Sequence, residues 1–581
     1  MLTTAPGGGQ TTLRDLPAAR LALPGTGPGY RRSLADLTDA ALTELWLQAT
    51  ARTGAGRGVA LGAVGSHGRR DAGPISDLDL VLVHDPAAAD AEQLGGLAAA
   101  LWYPVWDAGL ELDHSVRSLV ECRRVVSADL VAAVSLLDLR YVAGEADLLG
   151  RARAAVLTDW RAVARRHLPD LLASVRTRAS THGELAGRLE PDLKEARGGL
   201  RDALVCTALS ASWLADRPHG HLDEAYRYLL DVRDALAATA GRRTTLLLRA
   251  HAEEVADRMG LPDADALLTE VGACGRVVTT ALETTIRHAR QRLRRPSPRL
   301  QPTLVRGRWR PARLPRLGAG LAEHDGEVVL AAGTDVTTDP ELALRAAAVA
   351  TRTGLALSPV MLTSLGRAPV PPAPWPATAR EHLLTVLRCG PALLPLWHAL
   401  DHAEILTRWL PEWVAVRGRA QHNPVHLYTV DHHLVQTVAN LHAVPAHLPG
   451  RDLLLWAGLL HDIGKVSGAV DHSLTGARIA EQVLRRLGLS PPDRADVCTL
   501  VRHHLLLATT ATRWDVRGEA AAEHVAATLR YRADLVTALG HLTEADARAA
   551  GPRAWTPWRA GLVHTLTRNA LARWRYPGRS T

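Results

Sequence analysis

The sequence predicts a multidomain α+β protein with a small mixed-sheet head, a helical middle domain and an all-α domain. Three observations predict it. The 581 residues exceed what one hydrophobic core supports. From about 58 to 150 short apolar runs alternate with Gly, Ser and Pro, whereas 150–295 is rich in Ala, Leu and Arg with helical periodicity. Residues 380–581 again read as helical and carry the densest group of histidines.

Taken in order, residues 1–45 form a lead-in followed by a helix, and 46–150 form the α/β head. A helical domain spans 151–300, and 301–378 is a basic, Pro-rich linker with a small α/β segment that includes the strand-like EVVLAAG. The histidine-rich domain covers 379–540, and 541–581 is a C-terminal helical tail. With 47% hydrophobic and 22% charged residues and no apolar run near 18 residues long, a membrane span is not expected. The N-terminus lacks the charged-then-apolar signal pattern, so the cytoplasm is the expected location. Five widely spaced cysteines read as reduced, buried thiols.

The net charge of +8 suits nucleoside triphosphates and acidic protein surfaces as well as nucleic acid. Much of it sits in the run Arg287–Arg316, read as a solvated helix end and linker. There is no Phe, which leaves Leu and Trp to fill the core, and the only lysines are Lys194 and Lys465. A chain that uses Arg almost everywhere else has kept two compact ammonium groups, each beside a motif described below.

The first motif is Val59–Asp85 (VALGAVGSHGRRDAGPISDLDLVLVHD). It opens as a strand, turns through Gly65-Ser66-His67-Gly68-Arg69-Arg70 and returns as the strand Asp77–Val83. Asp77 and Asp79 are two residues apart, so in a strand both carboxylates project from one face. Such a pair repels itself unless cations sit between, which suits Mg²⁺ held jointly by protein and phosphates. The glycine turn offers backbone N–H groups to phosphate oxygens, which makes Gly65, Ser66, Arg69 and Arg70 the nucleotide-binding candidates. A third carboxylate is expected from the alternating run Gly109–Arg117, as Asp113 with Glu111 as the alternative.

The second motif gathers His426, His432 and His433, then His461-Asp462-Ile463-Gly464-Lys465, His472, His503-His504 and Asp515. Imidazole and carboxylate together are the ligand set of first-row divalent metals in hydrolytic sites.

These blocks carry a resemblance. GSHGRR…SDLDLVLVHD resembles the nucleotidyltransferase superfamily signature. LWYPVWDAGLELDHSVRSLVEC and LEPDLKEARGGLRDAL resemble blocks of the PII uridylyltransferase/uridylyl-removing family. The histidine motif is similar to the HD phosphohydrolase superfamily and, in its flanks, to the uridylyl-removing domain. The resemblance covers most of residues 55–575. It implies a nucleotidyltransferase head with Mg²⁺ held by Asp77, Asp79 and Asp113, and places Lys194 or Arg201 near the triphosphate. In the HD domain it implies His433, His461, Asp462 and Asp515 as the basic metal set for Mn²⁺ or Mg²⁺, with His432 the rival of His433. His472, His503 and His504 are the candidates for a second metal or for phosphate, and Lys465 for the phosphodiester.

The implied function is attachment of UMP, or AMP, to a tyrosine of a PII nitrogen-regulatory protein, and its hydrolytic removal. UTP and ATP both stand as donors. An RNA enzyme resembling tRNA nucleotidyltransferases and an inactive PII-binding sensor are the alternatives; nucleic acid and membrane are not expected partners. The family continues into two glutamine-sensing ACT domains and this sequence stops at Thr581, so control through such domains is not expected.

Overall fold

The computed structural model describes residues 12–293, 303–305, 308–310 and 314–575. The start of the expected lead-in, much of the basic stretch after Leu293 and the end of the tail lie outside the described residues. The described chain divides into two compact units, one running as far as Ala186 and again from Glu190 to 293, the other comprising Gly187–Leu189 and everything beyond.

The first unit is built on a mixed four-stranded sheet of β1 (Val59–Ala63), β2 (Leu78–His84), β3 (Leu112–Ser118) and β4 (Arg140–Gly144), in the order β3-β2-β1-β4. β1 is antiparallel to β2 and β4, while β2 and β3 run parallel. Both faces are covered. Leu78, Leu80 and Leu82 pack with Leu42, Trp46, Leu97 and Trp102 on one side. Val81 and Val83 pack with Cys122, Val126, Leu149 and Trp160 on the other. The period of two along β2 therefore assigns Asp79 to the valine face, at the strand's N-terminal end. Helices Ala146–His182, Leu200–Ala211, His221–Ala240, Arg249–Arg258 and Ala264–Leu293 supply the helical part of this unit, around Leu229, Leu236, Val271 and Val278.

The second unit opens on a small mixed sheet of Ala356–Leu357, Glu327–Leu330, Leu321–His324 and Arg316–Gly318, backed by helix Leu342–Thr353. Glu327–Leu330 is the strand expected from EVVLAAG. The rest is helical, and its core uses Trp397, Trp409, Trp413 and Trp456 where phenylalanine is absent. The cut expected at residue 540 falls inside helix Ala533–Ala550, which matters for the histidine cluster. Among the described residues no single helix is long and apolar enough to cross a membrane.

Two candidate metal centres

In the first unit, the parallel pairing of β2 and β3 sets Asp79 directly opposite Asp113. Asp77 precedes β2 by one residue, and the Leu78 N–H donates to the Glu111 carbonyl at 2.9 Å. Asp77, Asp79 and Asp113 thus share one end of the sheet. Burial, then Asp77 and Asp113, push the Asp79 carboxyl up from 3.8 to about 6, against the opposing charges of Lys194 and Arg69. Asp77 and Asp113 lie close enough to raise the Asp79 carboxyl, and a sheet end carrying three carboxylates is a candidate site for divalent cations.

The glycine turn is fixed to this end. The Val64 N–H donates to the Asp79 carbonyl at 3.0 Å, and Gly65 adopts a left-handed φ of +55°. A Cβ on Gly65 would stand 2.6 Å from Asp79 Oδ2, so only glycine lets the turn approach the carboxylate. Gly65–Gly68 is one helical turn, and the first N–H groups of such a turn have no partner within it.

The arginines of the turn point to other work. Arg69 pairs with Asp71 at 2.9 Å and with Asp138. Arg70 pairs with Asp36 at 3.0 Å and Asp39 at 3.3 Å. Both are held by carboxylates that tie the turn to its surroundings. Arg201 is likewise engaged, at 2.8 Å from Glu195. Lys194 is exposed, and its charge acts directly on Asp79. One cation had no local signal in the sequence: Arg243 pairs with Asp77 and lies 2.9 Å from Glu111.

In the second unit, five elements converge. His433 comes from helix Val430–Asn440, His461 and Asp462 from the turn after Arg451–Leu460, and His472 from the start of His472–Arg486. His504 follows Pro491–Arg502, and Asp546 lies on Ala533–Ala550. His433 Nε2 stands 2.9 Å from Asp546 Oδ1 and 3.2 Å from His461 Nε2. Asp462 bridges two groups: its Oδ2 lies 3.6 Å from His433 and from His461, its Oδ1 3.4 Å from His504 and 3.8 Å from His472. All four imidazoles present Nε2. His461 Nδ1 is 2.9 Å from the Gly458 carbonyl and His504 Nδ1 2.8 Å from that of Val501. A ring whose Nδ1 hydrogen is committed to a carbonyl presents a lone pair at Nε2. The buried His472 Nε2 has no hydrogen-bond partner. This donor set fits two divalent metals sharing Asp462.

The electrostatics agree. Burial alone would lower His461, but Asp462 and Asp546 raise it. Burial alone would raise Asp462, yet Lys465, His461 and His504 hold it well below the usual carboxylate range. Lys465 Nζ lies 2.6 Å from Asp462 and 2.6 Å from Gln421 Oε1. Gly464 makes room for His472: a Cβ there would meet the His472 carbonyl at 2.1 Å and the Gly476 nitrogen at 2.3 Å.

Three expectations are corrected or narrowed here. Asp515 is not a member of either ligand group; it is exposed in a turn, accepting from the Arg517 N–H at 3.0 Å, and Asp546 takes its place. Which aspartate completes the set depends on how Ala533–Ala550 packs on Val430–Asn440, and that has no local signature. His433 rather than His432 joins the cluster; the His432 ring stacks on Tyr428 at 4.5 Å. His503 stays outside both groups while its neighbour His504 enters. His426, not assigned a role from the sequence, packs edge-on to His433 at 5.1 Å, and burial and Lys465 lower its imidazole to about 4.

Comparison with known proteins bears on both centres. A family model described as HD domain matches residues 430–548, a span that includes Asp546. A second, described as GlnD PII-uridylyltransferase, matches 167–286 and so includes Lys194 and Arg243. The chain is 46% identical over 549 residues to a Streptomyces coelicolor protein named bifunctional uridylyltransferase/uridylyl-removing enzyme, covering 94% of this chain and 65% of that one. A Mycobacterium tuberculosis protein of the same name is 40% identical over 521 residues, covering 88% of this chain and 63% of that one. For one from Corynebacterium glutamicum the identity is 35% over 511 residues, 88% of this chain and 71% of that one. The chain therefore spans less than two-thirds of the length of the first two.

Proposed function

Because the chain belongs to the bifunctional uridylyltransferase/uridylyl-removing enzyme family, we propose that it both attaches a nucleotide to a PII-type signalling protein and removes it. The observation that carries this reading is that each unit holds residues suited to metal, carboxylates on a strand pair in one and histidines with aspartates in the other.

In the first unit, Asp77, Asp79 and Asp113 would hold Mg²⁺, and the N–H groups of the Gly65–Ser66 turn with Lys194 would receive the triphosphate. In the second, His433, His461 and Asp546 with Asp462, His472 and His504 would hold Mn²⁺ or Mg²⁺. Bound divalent cations supply Lewis acidity, stabilising charge on the phosphoryl group and easing deprotonation of the attacking hydroxyl or water. In transfer, the tyrosine oxygen of the partner bonds to the α-phosphorus, the α–β bridge breaks and pyrophosphate leaves. In removal, water adds to the same phosphorus, the bond to tyrosine breaks, and the nucleoside monophosphate departs. Lys465, fixed on Asp462 and Gln421, sets one positive charge beside the diester. A nucleoside triphosphate donor and a PII-type acceptor make the cytoplasm the compartment of the reaction.

The test is to incubate the protein with a PII-type partner, Mg²⁺ and either UTP or ATP, and weigh the partner by intact mass spectrometry. A gain of one nucleotide confirms transfer and names the base. No gain with either donor on an active partner refutes the transferase half.

A further inference from the structure

Arg243 is the unexplained member of the first centre. It follows the glycine-ended helix His221–Ala240, and its guanidinium spans Asp77 and Glu111, the residues leading into β2 and β3. It is half exposed, unlike Arg20 and Arg31, which are buried and bonded to the Gly73 and Ser76 carbonyls or to Asp231 and Asp234. Its only ion-pair partners among the described residues are a carboxylate of the cation site and the neighbouring glutamate. An arginine that serves packing is not built this way. It sits on the surface of the site with its guanidinium reaching solvent.

We propose that Arg243 is an exchangeable counter-ion: it occupies Asp77 while the site lacks metal, and grips the triphosphate once Mg²⁺ takes that carboxylate. The inference rests on the transferase reading and adds a positioning residue to it. Asp77, Asp79, Asp113 and Glu111 would carry four negative charges, opposed by Arg243 and Lys194 and by Arg69, which Asp71 and Asp138 already pair. A divalent cation binds a carboxylate oxygen at about 2.1 Å, closer than any guanidinium hydrogen bond, and so wins the shared ligand. Displaced from Asp77, Arg243 remains tethered at the rim where the phosphates arrive, and its planar fork pairs with phosphate oxygens two at a time. Arg243 therefore opposes metal binding in the absence of nucleotide and favours it in the presence of nucleotide. The sequence of events it enforces is loading of metal and triphosphate together.

The experiment measures binding of the α,β-methylene analogue of whichever of UTP or ATP labels the partner, by calorimetry across a Mg²⁺ series. The full chain, R243Q and E111Q are compared, with melting curves confirming the fold. All three are compared in an H461A/D462A background, so neither metal nor nucleotide at the histidine cluster enters. R243Q is expected to lower the Mg²⁺ concentration for half-maximal binding about 3- to 10-fold and to weaken nucleotide binding at saturating Mg²⁺ about 10-fold or more. E111Q loosens the latch but keeps the arginine, so the Mg²⁺ midpoint falls and the saturated affinity stays; it also carries the test if R243Q does not fold. An unchanged Mg²⁺ midpoint in the folded variants overturns the inference. Failure of the unaltered chain to bind the analogue at any Mg²⁺ concentration sinks the transferase reading, and the inference with it.

Discussion

Replacing Gly65 by alanine tests how the glycine turn and the carboxylates depend on one another. The backbone at Gly65 has φ +55°, a region that costs an L-residue roughly 1–2 kcal/mol. The added Cβ would meet Asp79 Oδ2 at 2.6 Å, so the carboxylate must retreat by about 0.5–1 Å to reach ordinary contact. Metal ligation tolerates deviations of only about 0.2 Å, and a misplacement near 1 Å costs about 10²-fold in rate. G65A should therefore lose about two orders of magnitude of nucleotide transfer while losing only about 1–2 kcal/mol of stability. Removal of nucleotide from a pre-labelled partner should be unchanged, because the histidine cluster belongs to the other unit. The assay follows the partner's intact mass over time in both directions, with a melting curve as control. Transfer by G65A within threefold of the unaltered chain would refute the packing argument.

Two further predictions concern single carboxylates. Asp79 has a folded-state pKa raised from 3.8 to about 6, so without metal the fold retains a proton there that the unfolded chain has released. That linkage makes metal-free stability fall as pH rises between about 4 and 6. D79N removes the penalty: in chelator at pH 7.5 it should stabilise the protein by up to about 3 kcal/mol, and at pH 3 or below by nothing. Calorimetric melting at both pH values checks this, and a gain equal at both would reject as its cause the raised Asp79 carboxyl, which burial and then Asp77 and Asp113 produce. At the second centre, D546A should lose bound metal and nucleotide removal, whereas D515A should keep both within about twofold. Metal content and diester hydrolysis on the same preparations decide between the two aspartates, and the opposite pattern would restore Asp515.

What was legible in the sequence is what short-range periodicity encodes. A strand repeats every two residues, so the spacing of Asp77 and Asp79 is enough to give them a shared face. The adjacency of His461 and Asp462, closed by Gly464, marks a tight turn carrying two ligands. The two lysines also stand out by composition; the charge of one acts on Asp79 and the other pairs with Asp462. Long-range packing decides the rest. Arg69 and Arg70 read locally as phosphate contacts, but Asp138, Asp36 and Asp39 claim them from distant segments. Asp546 lies 84 positions after Asp462 on a helix whose apolar spacing does not single it out, and Arg243 stands in an ordinary GRRTT loop. Choosing His433 over His432 requires a helix phase known to one residue, finer than sequence patterns give.

In the proposed function, two separate centres perform opposite reactions on one partner. The measurement that tests it most directly pairs two variants, D77A/D79A and H461A/D462A, and follows both attachment to and removal from the same partner by intact mass. The first should lose attachment and keep removal; the second should keep attachment and lose removal. Loss of both reactions in either folded variant would contradict two independent centres.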